Sequence, residues 1–281
     1  MKSCYNCKSN KKELIHKGTR DNAGVDVFKC KNCGLMFLSS DSHIDSKFYA
    51  NGEMVKNVNL EKWIENTMPD DSRRFNNLRS LINDKVLIDF GCGNASFLNL
   101  AKNVCKKVYG VELQKDFCEY FKKCGLDVVS SIEDLPQKSD VITMFHVLEH
   151  LKEPVESIKN ITKSLTVGGK IIIEVPNSDD VLIKLYKSKS FADFVFWSCH
   201  LYVYNERVLR KIISDAGLKT ISFRYIQRYS LMNHLYWLIK GKPGGHKYWA
   251  QWDYKWINRV YASILKKMGM TDTIEIVAEK I

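Results

Sequence analysis

The stretch from Val86 to Leu98, VLIDFGCGNASFL, joins a short apolar run to a glycine-rich turn and then to a run with helical spacing. Most of the later apolar runs are also separated by segments with helical spacing, and they occupy residues 107–111, 127–130, 140–145, 170–175, 220–229 and 272–280. Strands that alternate with helices form a parallel sheet with helices on both faces. The sequence therefore predicts an α/β fold with a doubly wound, mostly parallel, seven-stranded sheet.

Two features at the predicted strand ends indicate a nucleoside ligand. Gly91 and Gly93 allow a tight turn close to a ligand, and Asn94 can cap the helix that follows. Glu112 ends the second strand, 21 positions after Gly91, where a carboxylate can accept both hydroxyls of a ribose. The turn lacks the last glycine of the G-x-G-x-x-G pattern, which favours an adenosine-bearing cofactor without a pyrophosphate.

Six segments occur in a fixed order: VLIDFGCGNASFL, VYGVEL, SSIEDLP, DVITMFHVLEHL, VGGKIIIEVPN and HLYVYNERVLRKIISDAGL. In this order they resemble a class I S-adenosylmethionine-dependent methyltransferase, in the group that includes ubiquinone-biosynthesis O-methyltransferases and methyltransferases of bacterial polysaccharide clusters. The match runs from about Lys85 to Leu218, nearly half of the chain. The resemblance implies a Rossmann-like sheet and S-adenosylmethionine as cofactor.

The resemblance also assigns residues to the parts of that cofactor. The acidic-G-x-G motif lies against the amino acid part, the acid of the second strand binds the ribose, the segment after the third strand borders adenine, and the end of the fourth strand lies beneath the sulfur. Ala95 replaces a frequent third glycine, and the adenine segment lacks an acid that many relatives have. The residues assigned in this way are Asp89, Gly91, Gly93, Asn94, Glu112, Leu113, Ser131, Ile132, Phe145 and His146.

The H-x-x-E-H spacing from His146 to His150 has several interpretations. A protease-type zinc site is disfavoured, because these side chains share a helical face only if a helix begins at His146; Glu149 and His150 are instead expected on the first turn of the next helix. Ubiquinone-pathway relatives have a comparable E-x-x-E-H linked to a divalent metal, with His146 here in place of the first acid. Glu149 and His150 could also only brace the crevice, or His150 could be the general base for methyl transfer to oxygen.

His200 is the second catalytic candidate. It lies in WSCHLYVYNERVL, in a loop before a helix that Asn205 is expected to cap, and relatives also have histidine there. It could act as base, bind substrate or only pack its ring.

Four cysteines, Cys4, Cys7, Cys30 and Cys33, form two C-x2-C pairs separated by 22 residues. Two such pairs typically close a tetrahedral thiolate site around Zn2+ with no open position, so the predicted metal is structural. A redox dithiol or a chance pattern are the alternatives. Nine cysteines, several of them isolated, suit a reducing compartment. With no apolar run long enough for a signal peptide or membrane span, we expect a cytoplasmic protein without disulfides.

These observations predict three regions: a zinc ribbon at 1–40, a helical connection at 41–84 and a methyltransferase domain at 85–281. An aromatic-rich helical insertion at about 228–270 is expected to select the acceptor, since an insertion at this point covers the crevice in relatives. Most of its apolar side chains could instead form core or a homodimer surface. They could also lie on a membrane surface if the acceptor is lipid-linked. The candidate acceptor contacts are Gln227, Arg228, Asn233, His234 and Lys242.

The net charge of +11 is concentrated at the two ends of the chain. Residues 1–34 carry 8 basic and 3 acidic side chains, and residues 201–281 carry 14 and 6. A phosphate-bearing partner would be attracted there, although a basic surface also serves solubility. We therefore expect O-methylation of a small anionic acceptor such as a nucleotide sugar or capsular polysaccharide precursor. A sugar C-methyltransferase, an rRNA base methyltransferase and a noncatalytic binding module are the alternatives.

Overall fold

The computed structural model describes residues 3–44, 48, 59–114 and 116–281. Seven strands form the central sheet, in the order β10-β11-β8-β7-β4-β5-β6. Only β11 runs antiparallel to its neighbours, which confirms the predicted mostly parallel, seven-stranded sheet. The strands of this sheet are β4 (Val86–Phe90), β5 (Lys107–Val111), β6 (Asp127–Val129), β7 (Ser139–Phe145), β8 (Leu165–Pro176), β10 (Leu218–Ile226) and β11 (Thr273–Lys280).

Helices of very different length connect these strands. None of the described helices is both long and apolar enough to span a membrane. They are α1 (Leu60–Ile82), α2 (Ser96–Ala101), α3 (Cys118–Lys123), α4 (Pro154–Ile161), α5 (Val181–Lys184), α6 (Lys189–Val195), α7 (Glu206–Asp215), α8 (Leu231–Lys240), α9 (Gly245–Tyr248) and α10 (Lys255–Met268).

The central sheet is buried on both faces. On one face α1 and α2 pack their apolar side chains against the sheet, including Leu78 and Phe97. The other face shares a second cluster with α4, α7 and the N-terminal region. A fully buried aliphatic or aromatic side chain contributes about 1.5–3 kcal/mol relative to an exposed one, so burial on both faces explains the continuous apolar runs of β4, β7 and β8.

The N-terminal region forms a four-stranded antiparallel sheet. Its first three strands are β1 (Lys12–His16), β2 (Val27–Cys30) and β3 (Met36–Leu38), and its fourth is β9 (Tyr202–Val203), far along the chain. The pairing of β3 with β9 and the shared apolar cluster attach this region firmly to the central domain. The side chain of Asp21 reinforces the attachment by accepting hydrogen bonds from the backbone and hydroxyl of Ser198 at 2.9 and 2.7 Å.

The predicted helical connection at 41–84 contains α1, whose start is capped by the side chain of Asn59. Residues 45–47 and 49–58 of that prediction lie outside the described part of the chain. The burial pattern of α1 is unusual, because the charged side chains of Asp71 and Arg74 are buried together with Leu78 and Ile82. This helix covers the sheet edge at which the candidate site lies.

The insertion predicted at about 228–270 contains α8, α9 and α10. The loop from Gly241 to Gly244 separates α8 from α9. Because β10 and β8 both pair antiparallel with β11, they are parallel to each other, and β10 ends at the same edge as the other parallel strands. The insertion therefore begins at that edge.

Candidate cofactor and acceptor site

A cavity of about 670 Å³ lies at the carboxyl ends of β4, β5 and β7. Its lining includes all ten residues that the sequence assigned to the cofactor, from Asp89 to His146. Residues that are up to 57 positions apart in the chain thus converge at one edge of the sheet, as expected for a doubly wound fold.

The turn after β4 depends on its glycines. Gly91 has φ +74°, and a Cβ there would lie 2.5 Å from Cγ2 of Val147. Gly93 has φ +54°, and a Cβ there would lie 3.2 Å from Cζ2 of Trp63. The side-chain oxygen of Asn94 accepts a hydrogen bond from the backbone of Ser96 at 3.0 Å, at the start of α2. The predicted tight turn is present, but the cap position of α2 is Ala95, which has φ 58° and makes no side-chain cap hydrogen bond, so Asn94 supports the turn rather than capping the helix.

Backbone groups fix the carboxylate of Glu112. Its Oε2 accepts from the backbone N–H of Gly93 at 2.9 Å, and its Oε1 accepts from that of Gln114 at 3.0 Å. Burial raises the pKa of Glu112 above its ordinary value, against these hydrogen bonds. The carboxylate is therefore held beside the glycine turn, where it can accept hydroxyl groups of a ribose.

Asp89 lies below the same turn and accepts a hydrogen bond from the hydroxyl of Thr143 at 2.7 Å. Burial raises the pKa of Asp89 to about 7, and the nearby acids Asp71 and Glu112 act in the same direction. Acidic side chains predominate in the cavity lining over arginines, which suits a cationic sulfonium ligand. The lining acids are Asp70, Asp71, Asp89, Glu112 and Glu133, and the arginines are Arg74 and Arg228.

The side of the cavity formed by α1 was missed by the sequence analysis. Arg73 and Arg74 both donate to the fully buried Glu174 of β8, at 2.9 and 2.7 Å. Arg228 bonds to Asp70 of α1 at 3.1 Å and to Asp272 at 2.9 Å. The clustered charges of DDSRR (70–74) in an otherwise polar helix were the available signal. The α1 residues that line the cavity are Trp63, Asn66, Thr67, Asp70, Asp71 and Arg74.

The H-x-x-E-H residues meet without sharing a helix. His146 has φ 57° at the end of β7, Leu148–His150 form a separate 3-10 turn, and α4 begins only at Pro154. Nδ1 of His146 nevertheless lies 3.2 Å from Oε1 of Glu149. Burial raises the pKa of Glu149, but the hydrogen bond from His146 and the charge interactions with His146, His150 and His200 together lower that pKa to about 2. This pair therefore carries an ionised, fully buried carboxylate.

The two catalytic candidates are neighbours, but only His150 lines the cavity. Nδ1 of His150 donates to the carbonyl of Cys199 at 2.8 Å, and the rings of His150 and His200 lie 5.0 Å apart. Burial lowers the pKa of both rings, that of His200 to about 3. The donor atoms of His150, Cys199 and His200 lie within 4.8 Å of one another and could hold a metal ion.

The predicted acceptor contacts divide into two groups. Arg228 lines the cavity, whereas Gln227, Asn233, His234 and Lys242 are absent from its lining. Asn233 and His234 are buried inside the insertion, where His234 bonds to the hydroxyl of Tyr261 at 2.7 Å and Asn233 accepts from Gly244 at 3.0 Å. These two side chains serve the packing of the insertion.

The four N-terminal cysteines form a compact cluster. Sγ of Cys4 lies 3.5 Å from Sγ of Cys33, and Sγ of Cys7 lies 3.5 Å from Sγ of Cys30. All four sulfurs lie within 4.8 Å of one another, and none is in a disulfide. A tetrahedron with Zn–S bonds of about 2.3 Å requires sulfurs about 3.8 Å apart, so the cluster fits a structural zinc ion.

A family model described as a methyltransferase domain matches residues 62–222, more than half of the chain. The chain belongs to this methyltransferase domain family. The match begins within α1 and ends within β10, and so includes the cavity-lining residues described above except Arg228. The predicted resemblance to class I S-adenosylmethionine-dependent methyltransferases is confirmed.

Individual relatives are more distant. A tRNA U34 carboxymethyltransferase of Campylobacter fetus subsp. fetus is 29% identical over 114 residues, 36% of this chain and 40% of the relative. The mitochondrial ubiquinone biosynthesis O-methyltransferase of Candida albicans is 27% identical over 192 residues, 63% of this chain and 53% of the relative. The chain thus spans about half the length of these curated relatives.

Among solved structures, the magnesium protoporphyrin IX methyltransferase of Synechocystis PCC 6803 with bound SAH superposes with a TM-score of 0.51 and 15% identity. The superposition covers 86% of this chain and 100% of that structure. This similarity supports the Rossmann-like methyltransferase fold of the domain.

Proposed function

We propose that this protein transfers the methyl group of S-adenosylmethionine to a hydroxyl of a small acceptor. The observation that carries the proposal is the convergence of the glycine turn, Glu112 and Asp89 in one acid-lined cavity. In this proposal Glu112 accepts the ribose hydroxyls, and ionised Asp89 faces the ammonium group of the cofactor. S-adenosylmethionine supplies a methyl group already activated by its sulfonium, so the chain has to align the acceptor and remove a proton.

We assign the other cavity residues by their position. Ser131 and Ile132 follow β6 and border the adenine, while Phe145 and His146 end β7 beneath the sulfur. The acidic lining stabilises the positive charge of the bound cofactor. It stabilises the product less, because the sulfur of the product is uncharged, and this difference favours product release.

His150 is the proposed general base. It lines the cavity, and its burial lowers its pKa, so its ring is neutral near pH 7. Because Nδ1 donates to the carbonyl of Cys199, the neutral ring carries its lone pair on Nε2. His200 lies behind His150 and outside the cavity lining, so we assign it the positioning of the His150 ring.

The acceptor is proposed to place only its reacting hydroxyl in the cavity. The acidic lining disfavours a phosphate there, whereas residues 229–271 carry seven basic side chains and one acidic one. A nucleotide sugar or a polysaccharide precursor can meet both requirements, with its phosphate on the outer surface. An RNA acceptor is the second candidate, favoured by the relative that is named a tRNA U34 carboxymethyltransferase.

The N-terminal cysteines are proposed to hold a structural zinc ion. Bound zinc would fix the two C-x2-C turns and, through β3 and β9, support the segment that contains Cys199 and His200. Elemental analysis of the purified protein should give about one zinc per chain. The cytoplasmic location and a homodimer both stay predictions.

The experiment offers methyl-labelled S-adenosylmethionine and the full chain to a nucleotide-sugar pool, to total RNA and to a quinol precursor. We expect label in the sugar pool. His150→Gln should lose transfer while still binding S-adenosylhomocysteine, and exposed His246→Gln is the matched control. Label in RNA would replace the sugar proposal, and a protein that binds neither cofactor nor product would overturn the methyltransferase proposal.

A further inference from the structure

The outer face of α10 is apolar and exposed. Trp256, Val260, Ile264 and Met268 are spaced by four residues and are 66%, 54%, 51% and 46% exposed. Residues at this spacing share one face of a helix. We call these four residues the α10 stripe. A different face of the helix packs inward through Leu265 and Tyr261, so the stripe is not needed to attach α10 to the domain.

Aromatic side chains extend this surface before α10 begins. Trp252 and Tyr254 precede the helix, Tyr248 ends α9, and all three are more than half exposed. Tryptophan and tyrosine combine an apolar ring with a polar group, and they are enriched where apolar and aqueous phases meet.

Positive charge surrounds the same segment. The seven basic side chains of residues 229–271 are all exposed, and none makes an ion pair with a residue in the described part of the chain. The single acid, Asp253, accepts a hydrogen bond from Asn258 at 3.0 Å. The basic side chains are Lys240, Lys242, Lys247, Lys255, Arg259, Lys266 and Lys267.

Both ends of this segment are anchored at the edge of the cavity. Arg228 lines the cavity just before α8, and Asp272 lies just before β11. The backbone N–H and Nε of Arg228 donate to Asp272 at 2.7 and 2.9 Å. The exposed surface is therefore carried by a segment that leaves and rejoins the sheet beside the cavity.

We propose that the α10 stripe and the surrounding basic side chains bind the interface of an anionic lipid bilayer. The stripe enters the boundary between headgroups and acyl chains, while lysine and arginine contact anionic headgroups. A second copy of the chain is a poor occupant, because two strongly basic surfaces repel each other. Nucleic acid is also poorer, because aliphatic side chains such as Val260 and Ile264 gain little from phosphates.

Flotation of the full chain with vesicles tests this proposal. We expect binding to vesicles of equal phosphatidylglycerol and phosphatidylcholine, and little binding to phosphatidylcholine alone. The double variant Val260→Ser/Ile264→Ser should bind about tenfold less, because two apolar side chains no longer enter the bilayer. Val167→Ser, at the 82% exposed Val167 of β8, is the matched control and should bind like the unaltered chain.

A charge-reversal pair separates the electrostatic contribution. Lys266→Glu/Lys267→Glu should weaken binding at least tenfold and reduce its sensitivity to salt. Lys122→Glu/Lys123→Glu, at adjacent exposed lysines of α3, should leave binding almost unchanged. All variants should retain affinity for S-adenosylhomocysteine in calorimetry, which separates this test from that of the methyltransferase proposal.

Four results would overturn the inference. The unaltered chain could fail to float with anionic vesicles, or it could bind zwitterionic vesicles equally well. Val260→Ser/Ile264→Ser could instead dissociate a dimer in analytical ultracentrifugation, in which case the occupant is a second copy. Binding of a tRNA probe that is lost in the same variant, without vesicle binding, would assign the surface to nucleic acid.

Discussion

The cavity floor, formed by the turn of residues 91–94 and Glu112, is held by hydrogen bonds from backbone N–H groups to the carboxylate of Glu112 and to the carbonyl of Val111. The cavity roof, formed by α1, is instead held by ion pairs to residues far along the chain. Arg74 bonds to Glu174, 100 positions away, and Asp70 bonds to Arg228, 158 positions away. The floor is therefore set by local sequence, whereas the roof depends on the assembled sheet.

This difference predicts different effects for changes to the two sides of the cavity. A buried ion-pair network costs desolvation and adds little net stability, yet it strongly destabilises the protein when one partner is lost. In the floor, the loss of one partner is not expected to destabilise the protein to a comparable extent. Changes to the roof should therefore affect stability and the attachment of α1, and changes to the floor should affect cofactor affinity.

The largest expected effect is on the roof. Glu174→Gln leaves Arg73 and Arg74 without their buried anion and should lower the free energy of unfolding by about 3–5 kcal/mol. Amide hydrogen exchange in residues 60–82 should accelerate more than exchange in β4. Glu275→Gln is the control, since Glu275 lies opposite Glu174 on the neighbouring strand but bonds to Arg224, whose side chain is 42% exposed. Equal losses in urea unfolding for both variants would contradict the role given to α1.

The second effect is on the floor. Glu112→Ala should weaken binding of S-adenosylhomocysteine about 10- to 100-fold, because hydrogen bonds to a charged group contribute about 1.5–3 kcal/mol. Urea unfolding should change much less than in Glu174→Gln. Glu119→Ala, at an exposed acid of α3, is the calorimetric control. Unchanged affinity in Glu112→Ala would remove the ribose assignment.

The third effect is a pH dependence of cofactor binding. The pKa of Asp89 is raised to about 7 in the free protein, and the cofactor's ammonium favours the ionised form and lowers that pKa. Binding must therefore release a proton at low pH, and affinity should rise about fivefold from pH 6 to pH 7. Calorimetry in buffers of different ionisation enthalpy measures the released proton. Asp89→Asn should bind more weakly and without this dependence, and an unaltered chain that shows none would contradict the assignment.

The smallest effect concerns the contact between roof and floor. The hydroxyl of Thr67 on α1 accepts from Nδ2 of Asn94 at 2.9 Å. Thr67→Val keeps the shape and removes this bond, so it should cost about 0.5–1.5 kcal/mol in unfolding and weaken cofactor affinity by less than about tenfold. Thr220→Val, at a half-buried threonine of β10, is the control. If Thr67→Val lost more cofactor affinity than Glu112→Ala, the roof rather than the floor would determine cofactor binding.

The same contrast explains what the sequence could predict. The alternation of strands and helices follows from periodicity, and the grouping of ten residues at one edge follows from motifs within about 60 residues of one another and from the resemblance to class I methyltransferases. The roof contacts involve charged residues of α1, and in the sequence these residues are typical of a solvent-exposed helix face. Only the folded sheet brings Glu174 and Arg228 next to them.

Short elements were also difficult to predict. Tyr202 and Val203 form a two-residue strand within a segment expected to be a loop. Leu148–His150 form one 3-10 turn, separate from the helix that follows. Such short pieces have no periodicity of their own, and their conformation is set by partners such as Phe37, which pairs with Tyr202.

The pairing of β3 with β9 has a consequence for biosynthesis. Phe37 leaves the ribosome about 165 residues before Tyr202, its partner. The nascent chain therefore carries an exposed sheet edge while most of the central sheet is still being made, and such edges readily pair with other chains. Early zinc loading of the first three strands would shorten the time during which this edge is vulnerable to aggregation.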